Sequence, residues 1–314
     1  MNAEEKIVDY LLWHACAGDN IQMPKPNSFV YYFPQGHAEH TLADVVFPEM
    51  MSPCILCKVI DVQFLVRSEA DGIYAKIYLG PVKEKEQESL VAKMPVVVSN
   101  RHSKFVKKLS TTESQGTYLI VDREKAEAMF PPVQDSNDPT SYIMMKAKDI
   151  NGQDWEFKHL YEKERKRHKL TAGWTAFVNA KRLVKGDTVI FSKTENADLR
   201  VGVIKARSGM GKVRPEDVIT AASLAVAGRE FEVAYYPHAA TPEFVVKASL
   251  VDAAQRAWMA GMTVRMEVDN ETWQTGIVTS AEALDPIRWP ESPWRSLKVK
   301  FNFIVLFINI KLDY

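Results

Sequence analysis

Residues 142–161 constrain the fold of this chain more than any other stretch. Tyr142–Lys148 and Trp155–Tyr161 alternate apolar and polar side chains, and Asn151-Gly152 lies between them. Alternation with period two puts one face of a strand against a core. Asn-Gly supplies the positive φ angles of the tightest hairpin turns. The stretch is therefore an antiparallel hairpin, and the chain around it must build sheets.

Further strand-like segments occur at Phe29–Phe33, Cys54–Val66, Ile73–Leu79, Val96–Val98 and Phe105–Leu109, separated by Pro, Gly and Asp turns. Asp187–Lys193 and Leu199–Lys205 form a second hairpin around Glu195-Asn196. Strands near Phe231–Tyr236, Phe244–Lys247, Thr263–Val268, Trp273–Ser280 and Leu297–Phe301 follow. Helical spacing appears over residues 4–16, Asp122–Phe130, Trp174–Lys181, Pro215–Ala227 and Leu250–Met259. Gly18 and Gly228 act as stops, and Pro215 stands at a first helical turn. Val218, Ile219, Ala222 and Val226 fall on one face of that helix, a pattern that reads as ordinary core packing. The fold class is α+β, mainly β.

The first hairpin runs into a dense basic cluster: Lys163, Arg165, Lys166, Arg167, His168 and Lys169. One concentrated basic loop on a sheet protein is built to meet a polyanion. A solvated charged face and a nuclear import signal are the plainer readings. The whole chain has 40 basic and 40 acidic residues and 46% apolar content, so any nucleic-acid binding comes from this local patch.

Other chemistries find little support. The cysteines are Cys16, Cys54 and Cys57, an odd, sparse set that suits a reducing compartment. Cys54-Ile55-Leu56-Cys57 is a lone CxxC without the second pair of ligands that structural zinc needs, so buried thiols are expected. His37, His40 and Asp44 have a spacing that metal ligands can share, in a context that matches no metalloenzyme motif. No phosphate-cradling glycine loop, nucleophile elbow or HExxH motif appears, so neither catalysis nor a cofactor is expected. The polar start Asn2–Lys6 gives no signal peptide, and the apolar run Phe301–Ile310 is too short to cross a bilayer as a helix.

Several motifs in order resemble one family, the plant auxin response factors with their B3-type DNA-binding domain. They include Leu12–Gly18 (LWHACAG), Tyr32–Glu39 (YFPQGHAE), Glu162–Trp174 (EKERKRHKLTAGW), Phe177–Phe191 (FVNAKRLVKGDTVIF), Phe231–Lys247 and Asp285–Trp294 (DPIRWPESPW). In detail they are most similar to the subgroup usually regarded as repressors. The resemblance implies a B3-type open pseudobarrel inserted in a split dimerisation domain, followed by a small Tudor-like β-barrel. It places the parts of the dimerisation domain at residues 1–103 and 209–261, the DNA-binding domain at 104–208, a truncated ancillary domain at 262–301 and an atypical apolar tail at 302–314.

The implied partner is double-stranded DNA in the nucleus, with Arg167 reading guanine in a TGTC-type element. Lys163, Arg165, Lys166 and Lys169 are expected on phosphates, and Thr171 and Thr175 as hydroxyl contacts. Val218, Ile219, Ala221, Ala222 and Ala225 are expected in a dimer interface, with itself or with related factors. Two departures stand out. Glu162 replaces the family's arginine, and Thr117–Arg123 (TYLIVDR) replaces a second DNA-contacting loop, GGFSVPR. The ending FNFIVLFINIKLDY leaves the family pattern and looks like a retained intron or a faulty gene model. Such a chain would lack the regulatory region and the Phox/Bem-type interaction domain. It would act as a weakly DNA-binding dimerisation partner, with an exposed apolar tail prone to aggregation.

Overall fold

The alternating segments at the start of the chain form one sheet with two strands from far along it. β1 (Glu5–Ile7), β2 (Phe29–Tyr32), β3 (Ile55–Arg67) and β4 (Gly72–Pro81) join β12 (Phe231–Tyr235) and β13 (Val245–Lys247). Their spatial order is β12-β4-β3-β2-β13, with β1 on β3, and every pair is antiparallel. The computed structural model describes residues 5–18, 21–47, 51–67, 72–83, 104–133, 141–193, 198–205, 213–239, 243–254, 258–269, 272–283, 285–290, 292–301 and 304–308. The strand expected at Val96–Val98 and the turn at Glu195-Asn196 lie outside them.

The N-terminal helix begins later than its spacing suggests. Asp9 takes an extended backbone and its carboxylate accepts from the Leu12 N–H at 3.1 Å, starting α1 (Tyr10–Ala17). Upstream, Glu5–Ile7 pairs with Leu65–Arg67 as an edge strand. Gly18, with φ at 107°, stops the helix. The sheet buries Tyr32, Phe33 and Phe244 beneath α2 (Pro34–Ala38). His37, expected as a possible ligand, instead stacks on Phe244 at 4.2 Å and meets the Tyr32 hydroxyl at 2.9 Å, while Asp44 is exposed. Cys57 is buried, and burial pushes its thiol up to about 12; the half-buried Cys54 rises to about 11, chiefly through burial.

Seven strands between Lys104 and Ile204 make the second sheet: β5 (Lys104–Lys108), β6 (Leu119–Asp122), β7 (Tyr142–Asp149), β8 (Asp154–Glu162), β9 (Arg167–Leu170), β10 (Thr188–Lys193) and β11 (Leu199–Ile204). They run in the order β5-β10-β11-β7-β8-β9-β6, with a parallel step at β11–β7, and the sheet ends on β5 and β6 as an open pseudobarrel. The central hairpin is closed by Asp149. One of its oxygens accepts from the N–H groups of Asn151 and Gln153, and the other from Trp155 Nε1 and Lys181 Nζ. Short helices α3 (Thr111–Ser114), α4 (Arg123–Met129) and α5 (Trp174–Ala180) connect the strands. Phe105, Phe157, Trp174, Phe177 and Phe191 fill the core between them.

α6 (Pro215–Val226) turns a different face inward from the one its sequence suggests. Val218, Ala221, Ala222 and Ala225 are buried in the chain's own core, whereas Ile219 and Val226 are exposed. The small side chains let α6 settle on the first sheet. Four of the five residues expected at a dimer contact are thus already covered within one protomer. α7 (Ala248–Ala254) starts before the expected Leu250. β14 (Thr263–Asp269), β15 (Thr272–Ala281), β16 (Leu297–Phe301) and β17 (Ile304–Ile308) then form an antiparallel meander. β17 falls in the expected apolar tail and pairs with the whole of β16, so Ile304–Ile308 of that tail is sheet.

Two close approaches join these sheets. A Cβ at Gly202 on β11 would lie 2.1 Å from Cys16 Sγ on α1, and one at Gly36 would lie 2.4 Å from the Trp294 ring. Trp294 packs at a tilt against Phe33, and its indole N–H donates to Glu39, which also pairs with Arg295.

Candidate nucleic-acid interface

The basic stretch is more ordered than a loop. β8 ends at Glu162, Lys163–Arg165 make one tight turn, and Lys166 takes a left-handed φ of 48°. The chain then returns as β9, so Arg167 and Lys169 are strand residues between β8 and β6. Alternation sorts their side chains. His168 and Leu170 are buried, while Arg167 and Lys169 share the opposite face and are 23% and 17% exposed.

Register places Glu162 directly opposite Arg167. Its carboxylate accepts from Arg167 Nε at 2.6 Å and from Lys169 Nζ at 3.1 Å, with Arg165 Nη1 at 3.8 Å. The Arg167 hydrogen bond first, then Lys169, holds the Glu162 carboxyl below the usual carboxylate range. The Lys169 ammonium also lies 4.8 Å from the Tyr118 ring centroid. Lys163, Arg165 and Lys166 are exposed around this cluster. The face therefore combines cations at the surface with two cations already engaged by one carboxylate.

The threonines sit differently from the cations. Thr171 Oγ1 donates to the Lys158 carbonyl at 3.4 Å, and Thr175 Oγ1 donates to the Gly116 carbonyl. Both hydroxyl protons thus serve the protein, leaving oxygen lone pairs for any outside contact. The segment expected as a second contact loop is largely strand: Leu119 and Val121 on β6 are buried. One end reaches the basic face, where Tyr118 lies by Lys169, whereas the Arg123 guanidinium stands 5.8 Å from the Tyr161 ring centroid on the His168 side of the sheet.

Sequence reasoning missed the support beneath this face. His159 Nε2 and His168 Nδ1 lie 2.8 Å apart in the core. The alternation Trp155, Phe157, His159 was the available signal, since it turns all three inward. Burial, then the like charge of His168, pushes His159 down to about 4; burial also lowers His168. Above pH 6.5 the pair is neutral in folded and unfolded chains alike. As pH falls below that value the unfolded chain takes up protons that folded His159 refuses until about pH 4, so stability declines across this window. The expected slope is about 1.4 kcal/mol per pH unit for one such histidine. Urea unfolding at pH 7.5 and 5.5 should show a smaller acid loss in His159→Gln than in the parent. Equal losses would remove His159 as the cause.

Family models match two segments of the chain: the B3 DNA binding domain at residues 105–207 and the auxin response factor ancillary domain at residues 244–307. Auxin response factor 18 of Oryza sativa subsp. japonica is 38% identical over an alignment that covers 98% of this chain and 53% of that protein. Auxin response factor 16 of Arabidopsis thaliana is 36% identical, covering 98% and 54% respectively. The chain spans about half the length of these curated relatives. A solved structure, the Arabidopsis FUS3-DNA complex, aligns with 34% of this chain and 99% of that one at 24% identity and a TM-score of 0.29. The B3 match coincides with the seven-stranded sheet, and the ancillary match ends within β17. With both domains in order, and this identity along nearly its whole length, the chain belongs to the auxin response factor family of B3 DNA-binding transcription factors, which are not enzymes.

Proposed function

We propose that this chain is a nuclear, sequence-specific regulator of auxin-responsive transcription that binds TGTC-type duplexes as a dimer. The carrying observation is the meeting of Arg167, Lys169 and Arg165 at the β8–β9 turn, inside the segment that matches the B3 DNA binding domain. Residues 104–208 are the reading unit, 1–103 and 209–261 the dimerisation unit, and 262–301 the ancillary unit. Arg167 reads guanine through its planar fork, while Lys163, Lys166, Arg165 and Lys169 hold phosphates. In the dimer, Ile219 on the outer face of α6 is the contact residue, joined by the exposed Thr220, Ser223 and Val226. A two-fold dimer holds two basic turns at fixed spacing and favours paired half-sites.

Titration of a TGTC-containing duplex against a scrambled one tests this reading. Arg167→Ala should weaken the specific complex by about 1–3 kcal/mol and relax preference at one base pair. Lys169→Ala should weaken both complexes alike and reduce the salt slope by about 1. An Arg167→Ala protein with unchanged affinity and preference would refute the base-reading role. The engagement of Arg167 by Glu162 favours a second reading, a weakly DNA-binding partner that competes with longer relatives through dimerisation. Similar weak binding to both duplexes by the parent chain would select it.

A further inference from the structure

Resting on the DNA-binding reading above, we propose that Glu162 is an affinity-setting residue: it occupies Arg167 and Lys169 in the free protein as a phosphate would, and duplex DNA must displace it. The geometry makes this more than a neighbouring charge. Glu162 and Arg167 are direct cross-strand partners, so the β8–β9 ladder fixes their proximity. Both carboxylate oxygens are engaged, one by Arg167 Nε at 2.6 Å and the other by Lys169 Nζ at 3.1 Å. Arg165 closes a third side at 3.8 Å. A carboxylate and a phosphate compete for the same guanidinium donors, because both present paired anionic oxygens.

The competition is selective. Lys166 lies exposed on the turn and outside the Glu162 cluster, so a phosphate contact there leaves the cluster intact, whereas one at Lys169 displaces the carboxylate. A bidentate base contact through the Nε edge of the Arg167 fork forms only after Nε leaves Glu162. The base-reading conformer is then a fraction of the free population, and apparent affinity falls by that fraction. Glu162 lowers specific affinity more than non-specific affinity, and so narrows the gap between target and non-target duplexes. Being partly exposed, the cluster is weakened by salt.

The test compares Glu162→Gln with Glu164→Gln, a substitution of equal charge change at an exposed position on the same turn. With a TGTC duplex at low salt, E162Q should bind roughly tenfold tighter than the parent, and E164Q less than about twofold tighter. The E162Q gain should be smaller on a scrambled duplex, should shrink as salt rises, should fall in an Arg167→Ala background and should vanish when Lys169 is also replaced by Ala. Equal gains for E162Q and E164Q, or a gain undiminished in R167A, would overturn the proposal. Elution from immobilised heparin supplies an arm that needs no sequence recognition. A later salt elution of E162Q than of E164Q supports the displaced carboxylate even if no duplex preference exists. Coincident elution, with unchanged urea midpoints to show folding, counts against it.

Discussion

Gly173→Ala should destabilise the DNA-binding unit by about 3–6 kcal/mol, the largest effect of any single methyl group in it. Gly173 has φ at +91°, and a Cβ there would lie 1.8 Å from the Glu156 carbonyl oxygen and 3.0 Å from its carbon. Both obstacles are backbone of β8, so no flexible side chain can give way. The residue also starts α5, whose Trp174 and Phe177 are fully buried. Moving the chain to relieve the clash would lift those rings from the core. Gly152→Ala is the matched control. It has φ at +84° but nothing within 4 Å, so only the left-handed backbone is penalised, by about 1–2 kcal/mol. Urea denaturation followed by tryptophan fluorescence measures both. Similar midpoints for the two variants would mean that the clash is relieved at little cost.

Trp294→Ala should remove about 3–5 kcal/mol, the range for truncating a large buried ring. Trp294 is 1% exposed, its ring lies 5.2 Å from that of Phe33, and its Nε1 donates to Glu39 at 2.9 Å. Its six-membered ring occupies the space that a side chain at Gly36 would take. Ser292 adds a bond to Gln35, and the Arg288 guanidinium donates to the Val45 carbonyl. This segment therefore binds the ancillary region to the N-terminal flank. Trp294→Phe should recover part of the loss, since it keeps an aromatic contact and lacks the indole donor. Thermal unfolding that leaves Trp294→Ala unchanged from the parent would show that the segment is dispensable for the flank.

Local signals were legible in the chain. The Asn151-Gly152 hairpin, the glycine stops at Gly18 and Gly228 and the proline start at Pro215 depend on neighbouring residues only. Features set by distant pairing were not. Residues 5–7 carry helical spacing but meet β3, which supplies their hydrogen-bond partners. α6 has apolar side chains around much of its circumference, so its pattern could not say which face the first sheet would cover. At the candidate interface, composition identified the cations, and the resemblance marked Glu162 as a departure. The register across β8 and β9 is what joins Glu162 to Arg167, and register follows from how the short turn at Lys163–Arg165 closes.

The first sheet is split in the chain: β4 ends at Pro81, and its neighbour β12 begins at Phe231. That separation orders events during synthesis. The N-terminal strands leave the ribosome with the β4 edge open and cannot complete their sheet until β12 and β13 arrive. The seven-stranded sheet between them uses only intervening residues and can form meanwhile. Its formation also shortens the effective loop that β4 and β12 must close, lowering the entropy lost in pairing them. The seven-stranded unit is in this sense a folding aid for the unit that surrounds it.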